Sequence, residues 1–363
     1  MQRILVTGGA GFIGSHLVER LLRDGAEVRV LDDLSSGRVE NLNAVRHHQR
    51  FLFRRDRVED AQALEEMARG VDWIFHLAAV VGVKRVVEHP VASQSSLLRG
   101  NEAVLECARR VGAGVLYASS SEVYGRGDAV PFREKDGLRL GSPEHDRWGY
   151  AAAKAMGEFQ ALAYHRELGV PVVVARFFNT VGPRQSGRFG MVVPRFVKQA
   201  LGDSPLTVYG DGEQSRCFTD VRDTVEAIVR LWKCEAALGR VVNVGSDREF
   251  TIRELAHKVL EACDSRSEVA RLPYDEVFPA GFQDVRRRVP SLERLEELTG
   301  YRPGTPLEET LAWIVASLGR EERDAAAADA TPTATSARRP SPVRASLPGA
   351  TRPSSSGAAS SRS

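Results

Sequence analysis

The sequence predicts an α/β protein, a doubly wound parallel sheet followed by a smaller C-terminal lobe. Three observations predict it. Short apolar runs alternate with amphipathic segments through the first half of the chain. A glycine-rich turn joins the first run to the first amphipathic segment. From about Gly182 the alternation loosens.

The runs "RILVTG", "EVRVLDD", "WIFHLAA", "GVLYASS" and "VPVVVARFF" are short and β-rich, as strands covered on both faces are. The segments between them, "GSHLVERLLRDG", "AQALEEMARG" and "SLLRGNEAVLECARRVG", carry apolar residues at helical spacing. Later, "TIRELAHKVLEAC" and "PLEETLAWIVASLG" read as helices of the lobe. Residues 1–180 are therefore expected to carry the sheet, 181–319 the lobe, and 320–363 a disordered tail. The tail is rich in Ala, Ser, Pro, Thr and Arg, and it lacks the large apolar residues that offset ordering entropy.

The 363 residues, 42% hydrophobic, suffice for a sizeable core. The net charge of +2 includes five arginines and no acid from Thr331 onward, so the rest of the chain carries −3. No basic stripe is left to grip a nucleic-acid backbone. Cys107, Cys217, Cys234 and Cys263 are scattered and form no CxxC pair, so neither a zinc site nor a disulfide framework is expected. No apolar run approaches the roughly 20 residues that span a bilayer. "MQRILVTGG" is expected to be the first strand rather than a secretory leader, and the protein to be soluble and cytoplasmic.

"VTGGAGFIGSHL" sets Gly8, Gly11 and Gly14 between a strand and a helix. Glycine allows a tight turn and close approach of a pyrophosphate, while the helix N-terminus offers amide donors. A second strand ends in Asp32, 18 positions after Gly14, where a carboxylate binds both hydroxyls of an adenosine ribose and repels a 2′-phosphate. The pattern is that of a Rossmann-type sheet binding NAD rather than NADP. Phe12 and Ile13 in the turn, Ala78 and Ala79 in "HLAA", and Phe177 after the fifth run are further expected cofactor contacts. Asp56 is expected to reach the adenine.

Tyr150 and Lys154 in "RWGYAAAKAMGEF" share one helix face. An ammonium beside a phenol is expected to lower the phenol's pKa, and a cationic nicotinamide to lower it further. Such a tyrosine can take a proton from a sugar hydroxyl while hydride leaves the same carbon for the cofactor, which both residues also contact.

Taken together, Gly8/Gly11/Gly14, Asp32, "HLAA", "SSSEVYG", Tyr150/Lys154 and "RFFNTVGPRQ" resemble the extended short-chain dehydrogenases/reductases. More narrowly, they resemble the nucleotide-sugar epimerases, dehydratases and decarboxylases. The resemblance runs from about Arg3 to Leu318. It implies that Ser120 bonds the C4 oxygen of a nucleotide sugar and that Ser121 lines the sugar pocket. It implies that Asn179 contacts the diphosphate, that Val193 and Tyr209 flank the base, and that Arg216 reaches phosphate or ribose. A homodimer built from the helix after "HLAA" and the helix of Tyr150 is implied as well. One departure is visible: in "SLLRGNE", Leu97 and Asn101 stand where relatives carry Asn and Thr.

The resemblance leaves several reactions open after oxidation at C4. Hydride return to the other face gives a 4-epimerase. Loss of the C5 proton and C6 hydroxyl gives a 4,6-dehydratase. A C6 carboxylate beside a C4 ketone is a β-keto acid and is lost as carbon dioxide. Simple 4-epimerases usually lack an acid at the Glu122 position, and Ser121 stands where deoxythymidine-diphosphoglucose dehydratases carry Asp. "GFQDVRRRVPSLERLEELTGYRP" resembles UDP-glucuronate decarboxylases, in which an arginine at the Arg288 position faces the substrate. A guanidinium there can bind the carboxylate. UDP-glucuronate decarboxylation is therefore the leading expectation, ahead of UDP-sugar 4-epimerisation and 4,6-dehydration, with Ser120, Glu122, Tyr150, Lys154 and Arg288 as its catalytic residues. A non-catalytic NAD-binding sensor is the alternative of another class; such proteins typically lose the Tyr/Lys pair, which is intact here.

Overall fold

The first strand, β1 (Arg3–Thr7), buries Ile4, Leu5 and Val6 completely, because helices cover both its faces. The computed structural model describes residues 1–79, 88–127, 129–187, 191–277 and 285–329, with side chains through 319. Six further strands join β1: β2 (Glu27–Asp32), β3 (Phe51–Arg55), β4 (Trp73–His76), β5 (Gly114–Ser120), β6 (Val172–Phe177) and β7 (Arg240–Val244). They form one sheet of order β7-β6-β5-β4-β1-β2-β3, parallel throughout. The order reverses between β1 and β4, and ligands of open α/β sheets bind at such a switch point, beyond the strands' C-terminal ends.

Two helical layers cover the sheet. On one face, α1 (Phe12–Arg23) shares a core with the later helix α6 (Val221–Trp232); Leu17, Val18, Leu21, Val225 and Ile228 meet Val28, Val30 and Val242 there. On the other lie α2 (Ala61–Ala68), α3 (Pro90–Val111) and α4 (Arg147–Leu168), which bury Leu64, Val104, Leu105 and Ala161 against Leu5, Ile74 and Val115. Both long helices stop at a glycine in the left-handed region, Gly112 (φ 71°) after α3 and Gly169 (φ 70°) after α4.

A second core gathers α5 (Val192–Leu201), α7 (Ile252–Cys263) and α9 (Leu307–Asp329) around the short strand Leu206–Tyr209; a short helix, α8 (Glu293–Thr299), precedes α9. Residues after 180 are not confined to that lobe, since β7 and α6 return to the main sheet and its cover. The chain divides into compact units at Arg320, as expected, but the start of the expected disordered tail is helical, for α9 continues through Asp329. The alanines of "DAAAAD" favour helix more strongly than any other residue. The remainder of the expected tail, 330–363, and residues 281–284 of the arginine segment lie outside the described residues. Among the described residues no helix is long and apolar enough to cross a membrane.

Candidate active site

A single cavity of about 810 Å³ runs from the glycine turn, along the C-terminal edge of the sheet, to the second lobe. At one end lies the turn between β1 and α1. Gly8 has φ 73°, and a Cβ there would stand 2.6 Å from the Ala78 backbone nitrogen; a Cβ on Gly14 would stand 2.2 Å from the Gly8 carbonyl oxygen. Only glycine permits this packing of the turn against the end of β4. The helix α1 has no side-chain cap and no acid in its first turn, and Gly11, Phe12, Ile13 and Gly14 line the cavity. This is a donor set with positive dipole, suited to a pyrophosphate. Asp32, buried at the end of β2, lines the same cavity; its oxygens accept from the backbone nitrogens of Ala10 (2.9 Å) and Leu34 (2.8 Å). Burial pushes its carboxyl above the ordinary value. The amides and the carboxylate match the two charged demands of a dinucleotide, and Ala78, Ala79 and Phe177 line the wall beyond.

Asp56 does not join them. Arg54 holds its carboxylate at 3.2 Å, its other oxygen accepts from the Arg57 backbone nitrogen, and it is absent from the cavity wall, where Val58 and Glu59 stand instead. A local cation on β3 has captured the acid.

The middle of the cavity is set by α4. Lys154 is 3% exposed; its Nζ donates to the Ala118 carbonyl (2.7 Å) and lies 5.0 Å from the centroid of the Tyr117 ring. Burial presses its ammonium down to about 8, against the opposing charge of Glu158. Tyr150 and Ser120 both line the cavity here. The Tyr150 phenol is pushed well above 10, first by burial and then by the charge of Glu122, while the Ser120 hydroxyl opposes both. This is the reverse of the shift expected from the Tyr–Lys spacing; burial and the Glu122 charge set it. The protein alone thus holds Tyr150 as a neutral phenol.

Immediately after Ser120, the turn Ser121–Tyr124 presents Glu122. Arg288 Nη1 donates to one Glu122 oxygen (2.6 Å), and an Arg147 nitrogen lies 3.5 Å from the other. Burial alone would raise this carboxyl, but Arg288, Arg147 and Arg216 bring it down to about 2. Glu122 is therefore an anion at neutral pH and cannot serve as a general acid there. Strand alternation explains why Arg288 reaches it and Arg287 does not, while Arg286 lies before the strand. The short strand Arg287–Arg288 pairs with Ser215–Cys217; Arg287 turns outward to Glu249, Arg286 reaches Asp211 at the surface, and Arg288, 4% exposed, turns in.

At the far end, Asn179, Val193, Tyr209 and Arg216 line the wall, as does Ser121 nearer the turn. Asn179 has φ 34° and donates to the Cys217 carbonyl (3.0 Å). The Arg195 guanidinium stacks 3.9 Å from the Tyr209 ring centroid, and Gln214 donates to the Tyr209 carbonyl. Sequence reasoning missed Arg147, Arg195 and Gln214. Arg147 had a usable signal, since it precedes Tyr150 by three positions and so shares its helix face. Arg195 and Gln214 had none, because their roles depend on how the lobe packs.

Comparison with known proteins now bears on these features. Residues 4–245 match the model of the NAD dependent epimerase/dehydratase family. The chain belongs to that family. Among curated proteins it is 36% identical, over 86% of its length and 98% of theirs, to the UDP-N-acetyl-alpha-D-glucosaminuronate decarboxylase of Bacillus cytotoxicus. It is 37% identical, over 88% of its length and 73% of theirs, to UDP-glucuronic acid decarboxylase 1 of Danio rerio. Among solved structures, the UDP-glucose 4-epimerase of Thermotoga maritima superposes with a TM-score of 0.80 at 31% identity, covering 88% of this chain and all of that one.

Membership makes NAD the cofactor, and the glycine turn with Asp32 is where the family's dinucleotide fits in this chain. The departure in "SLLRGNE" also finds its place. Leu97 is buried within α3, and Asn101, 1% exposed, donates to Gln160 (2.8 Å) on α4. Neither lines the cavity, whereas Ser96 and Gly100 do. Asn101 thus joins helix to helix.

Proposed function

We propose that the protein decarboxylates UDP-glucuronate through a 4-keto intermediate, with the sheet domain holding NAD and residues 181–319 supplying most of the nucleotide-sugar contacts. The observation that carries this reading is the Glu122–Arg288 pair, set in the same cavity as Tyr150 and Lys154. Held by the glycine turn and Asp32, NAD would supply the hydride acceptor and a positive ring that favours the ionised phenol. Tyr150 then takes the proton of the C4 hydroxyl, with Ser120 bonded to the same oxygen. Arg288 binds the C6 carboxylate of the resulting β-keto acid. The C5–C6 bond breaks, its electron pair moves into the enolate of the C4 ketone, and carbon dioxide leaves. Tyr150 and Ser120 hold the enolate oxygen. C5 takes a proton from water, hydride returns to C4 and Tyr150 gives its proton back to the C4 oxygen, so the net reaction consumes one proton and no oxidant. Glu122, an anion throughout, fixes the Arg288 guanidinium and accepts from a ring hydroxyl. Asn179 and Arg216 serve the diphosphate; Val193 and Tyr209 flank the base.

The likeness to a UDP-glucose 4-epimerase supports 4-epimerisation as the second reading. The guanidinium–carboxylate pair favours decarboxylation, because inversion at C4 makes no demand on it. The test is incubation with NAD and, separately, UDP-glucuronate and UDP-N-acetylglucosaminuronate, followed by product mass. Loss of carbon dioxide supports the proposal, and the better substrate identifies the C2 substituent. Unchanged mass with a new stereoisomer hands the reaction to an epimerase.

We also propose a homodimer. Val91 (79% exposed) and Leu98 on α3, with Met156 and Phe159 (62% exposed) on α4, lie at spacings that keep each pair on one helix face. Exposed apolar groups on two adjacent helices mark an interface. Phe159→Glu is expected to give a monomer by light scattering; an unchanged mass overturns the assignment.

A further inference from the structure

Tyr150, Lys154 and Glu158 follow one another at intervals of four along α4, and so stand on one face of the helix. The first two line the cavity; Glu158 does not. It is buried behind them, 4% exposed, and it meets an equally buried arginine from β6. Arg176 Nε donates to one Glu158 oxygen (2.9 Å) and Nη2 to the other (2.6 Å), a bidentate pair. Ser119, immediately before Ser120, donates its hydroxyl to the same carboxylate. The Arg176 guanidinium also lies 4.6 Å from the centroid of the Tyr124 ring, two residues after Glu122. The pair thus touches the reactive helix, the strand leading to Ser120 and the turn that bears Glu122, without touching the cavity.

Two well-packed apolar side chains would join helix to sheet at least as firmly, because desolvating a buried ion pair offsets much of its attraction. The charges therefore point to a task other than stability. The neighbours of Lys154 show which. On its own helix it faces Glu158 and Tyr150; on β5 it faces the Tyr117 ring and the Ala118 carbonyl; on β4 it faces His76, which burial keeps neutral. Glu158 is the one anion acting on Lys154 among the described residues. Glu158 in turn faces Ser119 on β5 and Arg176 on β6, and Arg176 also approaches the Glu134 carbonyl.

We infer that Glu158 and Arg176 are a positioning pair for the reaction: Glu158 supplies the counter-charge that keeps Lys154 an ammonium beside Tyr150, and Arg176 fixes Glu158 while locking the Ser119–Tyr124 turn to α4. This rests on the proposal that Tyr150 and Lys154 open the reaction, so the first readout needs no turnover. The titration of Lys154 is followed by pH-dependent acetylation with acetic anhydride and mass spectrometry of its peptide. The proteins compared are the wild type, Glu158→Gln and the double variant Glu158→Gln/Arg176→Gln. The double variant does not strand the Arg176 guanidinium without its carboxylate, and so keeps the test open if the single variant fails to fold. In both variants the Lys154 midpoint should fall on the order of one pH unit below that of the wild type. The alkaline limb of kcat/KM should move down by the same amount. A midpoint in the double variant equal to that of the wild type overturns the inference, even if turnover drops, because a merely structural pair would lower activity without moving the lysine. If the wild type turns over no uronate, the proposed function fails while the labelling still decides this inference.

Discussion

The two halves of the cavity are electrostatically opposite. At the C4 end, Lys154 is pressed down to about 8 and Tyr150 is pushed up, so both are driven toward their neutral forms. At the C5 end, Glu122 is held down to about 2 and stays an anion against three guanidiniums. Burial acts in the same direction on all of these groups, against charge. What differs is the supply of partners: Glu122 has direct ion pairs with Arg288 and Arg147, whereas Lys154 bonds only a carbonyl and feels Glu158 from behind. One end is suited to a proton that moves, the other to charges that remain in place.

The largest effect expected from this contrast belongs to Tyr150→Phe. It removes the proton acceptor on which the ketone depends, and general-base loss costs about 10²–10⁴-fold. Both outputs should vanish together, the NADH absorbance in single turnover and the carbon dioxide. Near-normal release of carbon dioxide would detach the C5 chemistry from C4 oxidation and end the comparison.

Glu122→Gln is expected to separate the two ends. It keeps shape but leaves Arg288 without its anion, and the guanidinium is then free to swing from its place. Carbon dioxide release should fall about 10²-fold, the size expected when one charged transition-state contact is lost. NAD should stay bound and NADH should still appear on mixing with UDP-glucuronate. Near-normal turnover would remove Glu122 from the mechanism.

A smaller effect, read from pH, follows from the same contrast. As pH rises through about 8, Lys154 loses its proton, and the cation that favours the phenolate is lost with it. As pH falls, Glu122 stays ionised until about 2. The kcat/KM profile of the wild type, which reports the free enzyme, should thus have an alkaline limb near 8 and no acid limb from Glu122 above about pH 4. A limb near pH 5 that disappears in Glu122→Gln would show the carboxylate to be titrating, contrary to its guanidinium clamp.

Most of the site was legible because its signals are local. The glycine spacing, Asp32 at a strand end, the Tyr150/Lys154 interval and the "SSSEVYG" turn each need only one element and its neighbour, and all of them line the one cavity. Arg288 was legible through resemblance, and strand alternation then accounts for its selection over Arg287. What escaped depends on tertiary placement. Asp56 was assigned by its order along the chain, yet Arg54 two positions away binds it first. The rise in Tyr150's pKa comes from burial, which spacing does not express. Two strands of the seven-stranded sheet are not evident from the sequence. "FLFRR" is only partly buried at the sheet's edge, and "RVVNV" enters the sheet far from its partner β6 in the chain. Glu158 and Arg176 look like a surface acid on a helix and a cation ending a strand; only their meeting shows them to be a pair.

The finest test concerns how the two ends are held in register. Tyr124, just past Glu122, donates its hydroxyl to Asn243 Oδ1 (2.7 Å) on β7. The Asn243 amide donates in turn to the carbonyls of Phe132 (2.9 Å) and Ser291 (3.2 Å), the latter three residues after Arg288. Fully buried, Asn243 therefore ties the segment that carries Glu122 to the segment that carries Arg288. Tyr124→Phe deletes one bond of this hub and keeps the ring stacked on Phe132, whose centroid lies 4.7 Å away. A single neutral hydrogen bond is worth about 1 kcal/mol net, so a several-fold fall in carbon dioxide release is expected. Formation of NADH in single turnover should be unchanged, because the deleted bond connects only the C5 groups. A parallel fall in both would mean that the hub supports the whole turn, and the two ends would then share one support rather than two.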